Sequence, residues 1–192
     1  MPSVSYRQWR TVRAAALDEI AGARAAGGTA RGRRVAAQQI TQAYAMLLAS
    51  QFQGFARDLH SESVDHFLAV IAPPAALRSL VRAEFTRNRQ LDRGNAQPSS
   101  LGADFGRLGI DFWSELKAFA PASAAWRDDL ELLNEWRNAI AHEDFTSPKL
   151  AGATALPVAQ VRRWRASCRQ FARAADEVMR RHLQTLTGAS PW

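Results

Sequence analysis

The chain has 192 residues, a formal net charge of +7 and a pI near 10.8, with 47% hydrophobic and 22% charged residues. Those values describe one globular domain and exclude a wholly disordered chain. Cys168 is the only cysteine, so an intrachain disulfide and a cysteine-based zinc cage are excluded as well.

Helical periodicity recurs along the chain and strand signals are almost absent. From Tyr6 to Ala26, apolar side chains fall at Trp9, Val12, Ala16, Leu17 and Ile20, and Gly27-Gly28 ends that helix. Thr29 caps a longer helix to about Leu59, with a stripe of Ala36, Ile40, Ala43, Tyr44, Leu47, Leu48, Phe52, Phe55 and Leu59. Ser61 caps a shorter helix from Glu62 to Ala72, which Pro73-Pro74 breaks. The next runs through Leu77, Leu80, Val81 and Phe85 to about Leu91. Arg93 to Gly109, rich in Gly, Pro, Ser and Asn, reads as loop. Asp111 to Phe119 is a short helix, and Ser123 caps one carrying Trp126, Leu130, Leu133, Trp136 and Ile140. Glu143 to Leu156 is loop again. Pro157 then opens a long final helix, striped by Val158, Val161, Trp164, Cys168, Phe171, Ala175, Val178, Leu183 and Leu186, which Gly188 stops. The expected fold is an all-α helical bundle with two long helices and several shorter ones.

No apolar run approaches the roughly 20 residues of a membrane span, and the start, MPSVSYRQWR, lacks a secretory apolar stretch. A cytoplasmic protein away from membranes is therefore expected. Residues 1–50 carry +5, 51–100 carry +1, 101–150 carry −4 and 151–192 carry +5, so both ends are basic around an acidic middle. That balance admits an anionic partner, although the bias to arginine, with two lysines among 25 basic residues, weakens each arginine as a phosphate signal.

The informative stretch is Leu133-Asn134-Glu135-Trp136-Arg137-Asn138-Ala139-Ile140-Ala141-His142. On a regular helix Leu133, Trp136 and Ile140 share the buried stripe, with Arg137 at its edge. Ala141, Asn134, Asn138 and His142 follow around one continuous face, and Asn138 and His142, four apart, can touch. Arginine offers a permanent charge and a planar fork for phosphate oxygens. Histidine exchanges protons near neutral pH, and the asparagine could select which ring nitrogen is protonated. The helix C-terminus, Glu143 and Asp144 favour the charged imidazole, whereas Arg137 opposes it. An Arg followed five residues later by His is expected about 0.5 times by chance, and about 0.01 times if Asn must follow the Arg.

Arg137-Asn138-Ala139-Ile140-Ala141-His142 resembles the R-x4-6-H motif, in its R-N-x-x-x-H form, of HEPN (higher eukaryotes and prokaryotes nucleotide-binding) domains. The stretch AYAMLLASQFQGFARDL looks like the second-helix pattern of the bacterial RiboL-PSP-like HEPN branch, and the spacing to the last long helix is similar. The likeness covers residues 29–187, with residues 1–28 as an attached helix and 188–192 as a tail. It implies a helical bundle that dimerises to join two R…H motifs in one cleft. It also implies a metal-independent endoribonuclease in a toxin–antitoxin or antiphage setting, with RNA as substrate and an antitoxin or defence-system partner. Arg137 would then bind the scissile phosphate, His142 would act as general acid/base, and Asn138 would orient. Where such domains often carry an acidic residue, this chain reads Ser50-Gln51-Phe52-Gln53. After the motif it has His142-Glu143-Asp144 rather than H-x-Y, which disfavours regulation by adenylylation there. Some HEPN domains are non-catalytic interaction modules, and that reading, or plain RNA binding, is the alternative.

Other residues carry weaker signals. Asp58, His60, Glu62, Asp65 and His66 crowd together, and His60, Glu62 and His66 could ligate a metal. Without an H-E-x-x-H pattern, ordinary helix capping around Ser61 is preferred and no metal is expected. Arg162, Arg165, Arg169 and Arg173 form a stripe on the last helix, and Arg31, Arg33 and Arg34 begin the second. Both could steer an RNA backbone. Most of the six tryptophans sit on core stripes, and Trp192 falls in the tail. No Gly-rich phosphate loop, G-x-S-x-G elbow or paired-carboxylate motif occurs, and no cofactor is expected.

Overall fold

A computed structural model of the protein describes residues 1–26 and 33–192. Gly27, Gly28, Thr29 and Arg31 lie outside the described residues, as does the side chain of Arg33. Among those described there is no β-strand, and the architecture is an all-α helical bundle. The elements are α1 (Val4–Gln8), a π-helical turn (Trp9–Arg13), α2 (Ala14–Ala26), α3 (Arg33–Ile71), α4 (Ala75–Thr86), α5 (Gln90–Arg93), α6 (Pro98–Gly106), α7 (Phe112–Phe119), α8 (Ser123–His142), a 3-10 turn (Pro148–Leu150) and α9 (Val158–Thr187). None of these helices is long and apolar enough to cross a membrane.

The centre is an aromatic seam between α3 and α9. Phe52 meets Phe171 edge-on at 5.3 Å, and Phe171 in turn meets Phe112 and Trp113 of α7. Trp9 closes the other side against Phe52 and Phe55, at 5.9 and 5.6 Å. Edge-to-face pairs of this kind stabilise beyond the area they bury, by about 0.5–1.5 kcal/mol each. Trp9 and Leu17 belong to the same core as Trp164 and Leu183, so the first helices are part of the bundle. Trp192 in the tail is also packed against that core.

Two short helices are capped from a distance. The backbone amides of Val4 and Ser5 donate to the Glu62 carboxylate at 2.8 and 2.9 Å, and the amide of Ser3 donates to Asp176. The amides of Gln90 and Leu91 donate to the Asp104 carboxylate at 2.9 and 2.8 Å. Each carboxylate satisfies donors that a helix start leaves open, and its charge suits the positive helix end.

Several boundaries differ from those expected. The long second helix does not stop near Leu59; α3 continues to Ile71 because Val64 and Leu68 prolong its buried stripe. Ser61 is not a cap there, and its hydroxyl instead accepts from Arg89. Within the expected loop 93–109, Pro98 opens α6, whose Leu101 and Phe105 are buried one turn apart. The helix after Pro74 ends at Thr86, where Arg87 is extended and Asn88 left-handed, so Leu91 belongs to α5. Ser123 is the first residue of α8 and buried, and Ala122 precedes it without a side-chain cap. Val12, Leu77 and Leu80, counted on buried stripes, are 70%, 48% and 62% exposed. The final helix begins at Val158 and ends before Gly188, as expected, with Gly188 at φ 73°.

Gly54 of α3 lets the π-helical turn approach. A Cβ there would lie 2.5 Å from Nη1 of Arg13, which donates to Gln51 while Nη2 pairs with Asp58 at 2.6 Å. Gly54→Ala should stabilise an Arg13→Ala protein by about 1 kcal/mol through helix propensity. In the wild-type background it should stabilise by less, because the guanidinium must move. Urea unfolding of the four proteins of that cycle measures the difference.

Candidate active site

Arg137, Asn138 and His142 all lie in the last two turns of α8, and the helix stops immediately after them. Glu143 takes a left-handed conformation, φ 53°, and its amide bonds to the Ala139 carbonyl. Asn138 sits between two depressions. One, of about 340 Å3, is lined by Arg137 and Asn138 together with Gln53, Asp92, Arg93, Asn95 and Gln97. The other, of about 300 Å3, is lined by Asn138 and His142 with Glu135, Asp144, Thr146 and Ser147. Arg137 and His142 therefore open into neighbouring depressions that share a wall. Five residues of helix separate them by about 7.5 Å along the axis and about 140° around it.

The guanidinium of Arg137 is partly buried, and its Nη1 donates to Oδ1 of Asn138 at 3.2 Å. Among the described residues it forms no ion pair. The same Oδ1 accepts from Nδ2 of Asn95 at 2.7 Å, which fixes the orientation of the Asn138 amide and leaves its Nδ2 free. His142 is exposed at the helix end. Nearby, the hydroxyl and then the amide of Thr146 hold the Asp144 carboxyl below its usual range, with His142 adding to the effect. An ionised carboxylate thus remains beside the imidazole.

Asn134, expected on the same open face, turns inward. It is buried and its Nδ2 donates to the carbonyls of Ala96 and Leu130, at 3.1 and 2.8 Å. The buried side of α8 is wider than its apolar stripe because α3, α9 and the 95–98 segment all pack on it. Residues 92–97, of which composition marks 93–97 as loop, contribute the far wall of the Arg137 depression. Asn95, Gln97 and Gln53 could not be found from the sequence, since Asn95 meets Asn138 across 43 residues with no local signal.

A buried polar network holds that wall. Arg89 pairs with Asp92 through Nε and Nη2, at 3.0 and 2.8 Å, and its Nη1 donates to Ser61. The fully buried His60 lies between Arg89 Nη1, 3.3 Å from its Nδ1, and the Asp104 carbonyl, 3.0 Å from its Nε2. The carbonyl can only accept, so Nε2 carries the proton and Nδ1 accepts from Arg89. Burial, followed by the Arg89 charge, pushes the His60 pKa down to about 4. Gln53 completes the wall by donating its Nε2 to the Leu91 carbonyl at 2.9 Å.

The other candidates are dispersed. His60 is committed to that network, Glu62 caps α1, and His66 faces Thr187 at 3.3 Å. Among the described residues no group of three His, Cys, Asp or Glu could hold a metal ion. On α9, Arg165 tethers helices together, bonding Tyr44, the Ala14 carbonyl and Asp18. Arg162, Arg169 and Arg173 are exposed, and Arg173 lines a separate depression with Tyr6, Phe119 and Glu177. Arg34 is exposed at the start of α3.

The fold and site define a class, an all-α bundle with an arginine–asparagine–histidine cluster at the end of one helix. Comparison of the chain with protein-family models, curated proteins and solved structures gives no match.

The unfolded chain protonates His60 near pH 6.5 and the folded protein near pH 4, so unfolding takes up a proton between those values. Stability contributed by the neutral imidazole is full above pH 6.5 and is lost as the pH falls towards 4, amounting to about 3 kcal/mol. Urea unfolding of wild type and His60→Gln at pH 7 and pH 4 tests this. The wild type should lose about that much more stability than the variant, which has nothing to titrate at this position.

Proposed function

We propose that the protein is a metal-independent endoribonuclease of the HEPN type, acting as a homodimer on single-stranded or looped RNA. The observation that carries this reading is the α8 cluster. Arg137 forms no ion pair among the described residues, Asn138 is locked by two hydrogen bonds, and His142 is exposed one helical turn beyond Asn138. Arg89, which holds structure together, sits on the Asp92 carboxylate. Arg137 instead faces a polar depression able to take an anion.

In the reaction, the 2′-hydroxyl attacks the adjacent phosphorus while its proton passes to a base. The P–O5′ bond breaks, and the 5′-oxygen gains a proton, leaving a 2′,3′-cyclic phosphate and a 5′-hydroxyl. His142 serves as the proton-transfer group, and Arg137 stabilises negative charge on the phosphorane-like transition state. Within one chain these groups diverge by about 140° around the helix. That separation suits a cleft in which a second copy supplies the complementary group. Exposed Arg162, Arg169 and Arg173 would attract the RNA backbone, with salt-dependent affinity. A toxin–antitoxin or antiphage role, with an antitoxin or defence partner, belongs to the same reading.

A second reading, a non-catalytic interaction module, is favoured by a different observation. No residue of α4 is buried, its Leu77 and Leu80 are exposed, and Val70 and Ile71 at the end of α3, which packs against α4, are 39% and 45% exposed. An apolar edge of this kind commonly meets a partner.

RNA incubated with the protein in EDTA should be cut to products with cyclic phosphate ends. His142→Ala and Arg137→Ala should each slow cleavage by about 100-fold or more. Denaturing gels with end-group analysis read the outcome. Cleavage by His142→Ala as fast as wild type would overturn the assignment.

A further inference from the structure

We infer that the depression beside Arg137 is a pocket for one unpaired nucleobase of single-stranded RNA, an assignment that rests on the ribonuclease reading. At about 340 Å3 it lies at the small end of ligand pockets, which begin near about 300 Å3. It has room for one flat ring system and not for a helix. Its lining is mostly polar and includes four carboxamides, those of Gln53, Asn95, Gln97 and Asn138.

The hydrogen bonds already made determine what is left to offer. Gln53 gives one Nε2 hydrogen to the Leu91 carbonyl and keeps Oε1 as an acceptor. Asn95 directs its Nδ2 at Asn138 and keeps Oδ1 as an acceptor. Asn138 has its Oδ1 occupied by Asn95 and Arg137 and keeps Nδ2 as a donor. Acceptors and a donor around one depression suit the edge of a base, and Gln97, whose carboxamide makes no hydrogen bond in the described structure, has both its oxygen and its nitrogen available for a two-point contact. Arg137 adds a planar cation on which a base can stack while the adjoining phosphate is held. The carboxylate on this wall, Asp92, is already paired through both oxygens with Arg89, so its charge towards an incoming nucleotide is offset.

The backbone that carries the pocket is tied at several points before any ligand arrives. Gln53 projects from α3, Asn138 from α8, and the intervening segment is held by Asp104 at Gln90 and Leu91 and by Asn134 at Ala96. Binding a base would therefore require little ordering of the protein.

The test is the affinity of the full-length protein for four short RNA homopolymers, of A, C, G and U. Each carries 2′-O-methyl groups, so that no 2′-hydroxyl can attack, and fluorescence anisotropy reads the binding. Wild type should prefer one base over the others by about tenfold or more, as a two-point contact provides. Gln97→Met, whose side chain makes no hydrogen bond in the described structure, and Gln53→Met should each reduce that preference to about twofold. Equal binding of all four homopolymers, no binding, or a preference that survives both substitutions would overturn the proposal. Base-selective binding lost in these variants, without cleavage of unmodified RNA, would leave the pocket standing and overturn the ribonuclease reading. Cleavage by wild type without base selectivity would do the reverse.

Discussion

Phe52, Gln53 and His60 are carried by one uninterrupted helix, and the rest of the molecule is arranged around that fact. The 39 residues of α3 extend for about 58 Å. Phe52 and Phe55 anchor it in the aromatic seam against α9 and Trp9. Gln53, which follows Phe52, is turned from it by about 100° and so faces the depression beside Arg137. Two turns further on, His60 enters the buried network that holds the far wall of the same depression. A break near Leu59 would put His60 on a different body from Phe52 and Gln53, and so uncouple the network from the core and the site.

The network has its own logic. Asp104, His60 and Arg89 are buried polar groups, and such groups destabilise unless each finds its partners. Here Asp104 finds two backbone amides, His60 a backbone carbonyl and Arg89, and Arg89 the Asp92 carboxylate and the Ser61 hydroxyl. Asp104 takes the two amides that open α5, a helix of four residues too short to stand alone. His60 stays neutral and bridges a donor and an acceptor. The cost of burying these groups is offset by a specified path for residues 89–97, which carry Asn95 to Asn138. Glu62 performs the same service for α1, which explains why this carboxylate belongs to the fold and not to a metal site.

The arginines divide by the company they keep. Arg13, Arg89 and Arg165 reach across helices to carboxylates, carbonyls and a tyrosine, and hold elements together. Arg162, Arg169 and Arg173 are exposed on α9. Arg137 differs from both groups, being partly buried beside amides and facing a depression. The net charge of +7 is thus shared between structural ties and a surface open to anions.

Local periodicity made much of this legible. The apolar spacing of α8 and α9, the stop at Gly188 and the all-α class follow from side chains three and four apart, a relation contained in the chain itself. The clustering of Arg137, Asn138 and His142 on one helix end follows from the same arithmetic. The hydroxyl of Ser61 could have capped a helix, but Arg89, 28 residues away, claims it. The composition of residues 93–109 suggested loop, yet burial of Leu101 and Phe105 makes part of it α6. Asn134 carries the same amide as Asn138, but its side chain is buried and donates to the Ala96 and Leu130 carbonyls, while Asn138 stays at the site. The pocket wall of Gln53, Asn95 and Gln97 likewise exists only when α3 and α8 close around the segment between them. A helix is specified by its own neighbours, whereas a polar side chain's role depends on which distant group reaches it first.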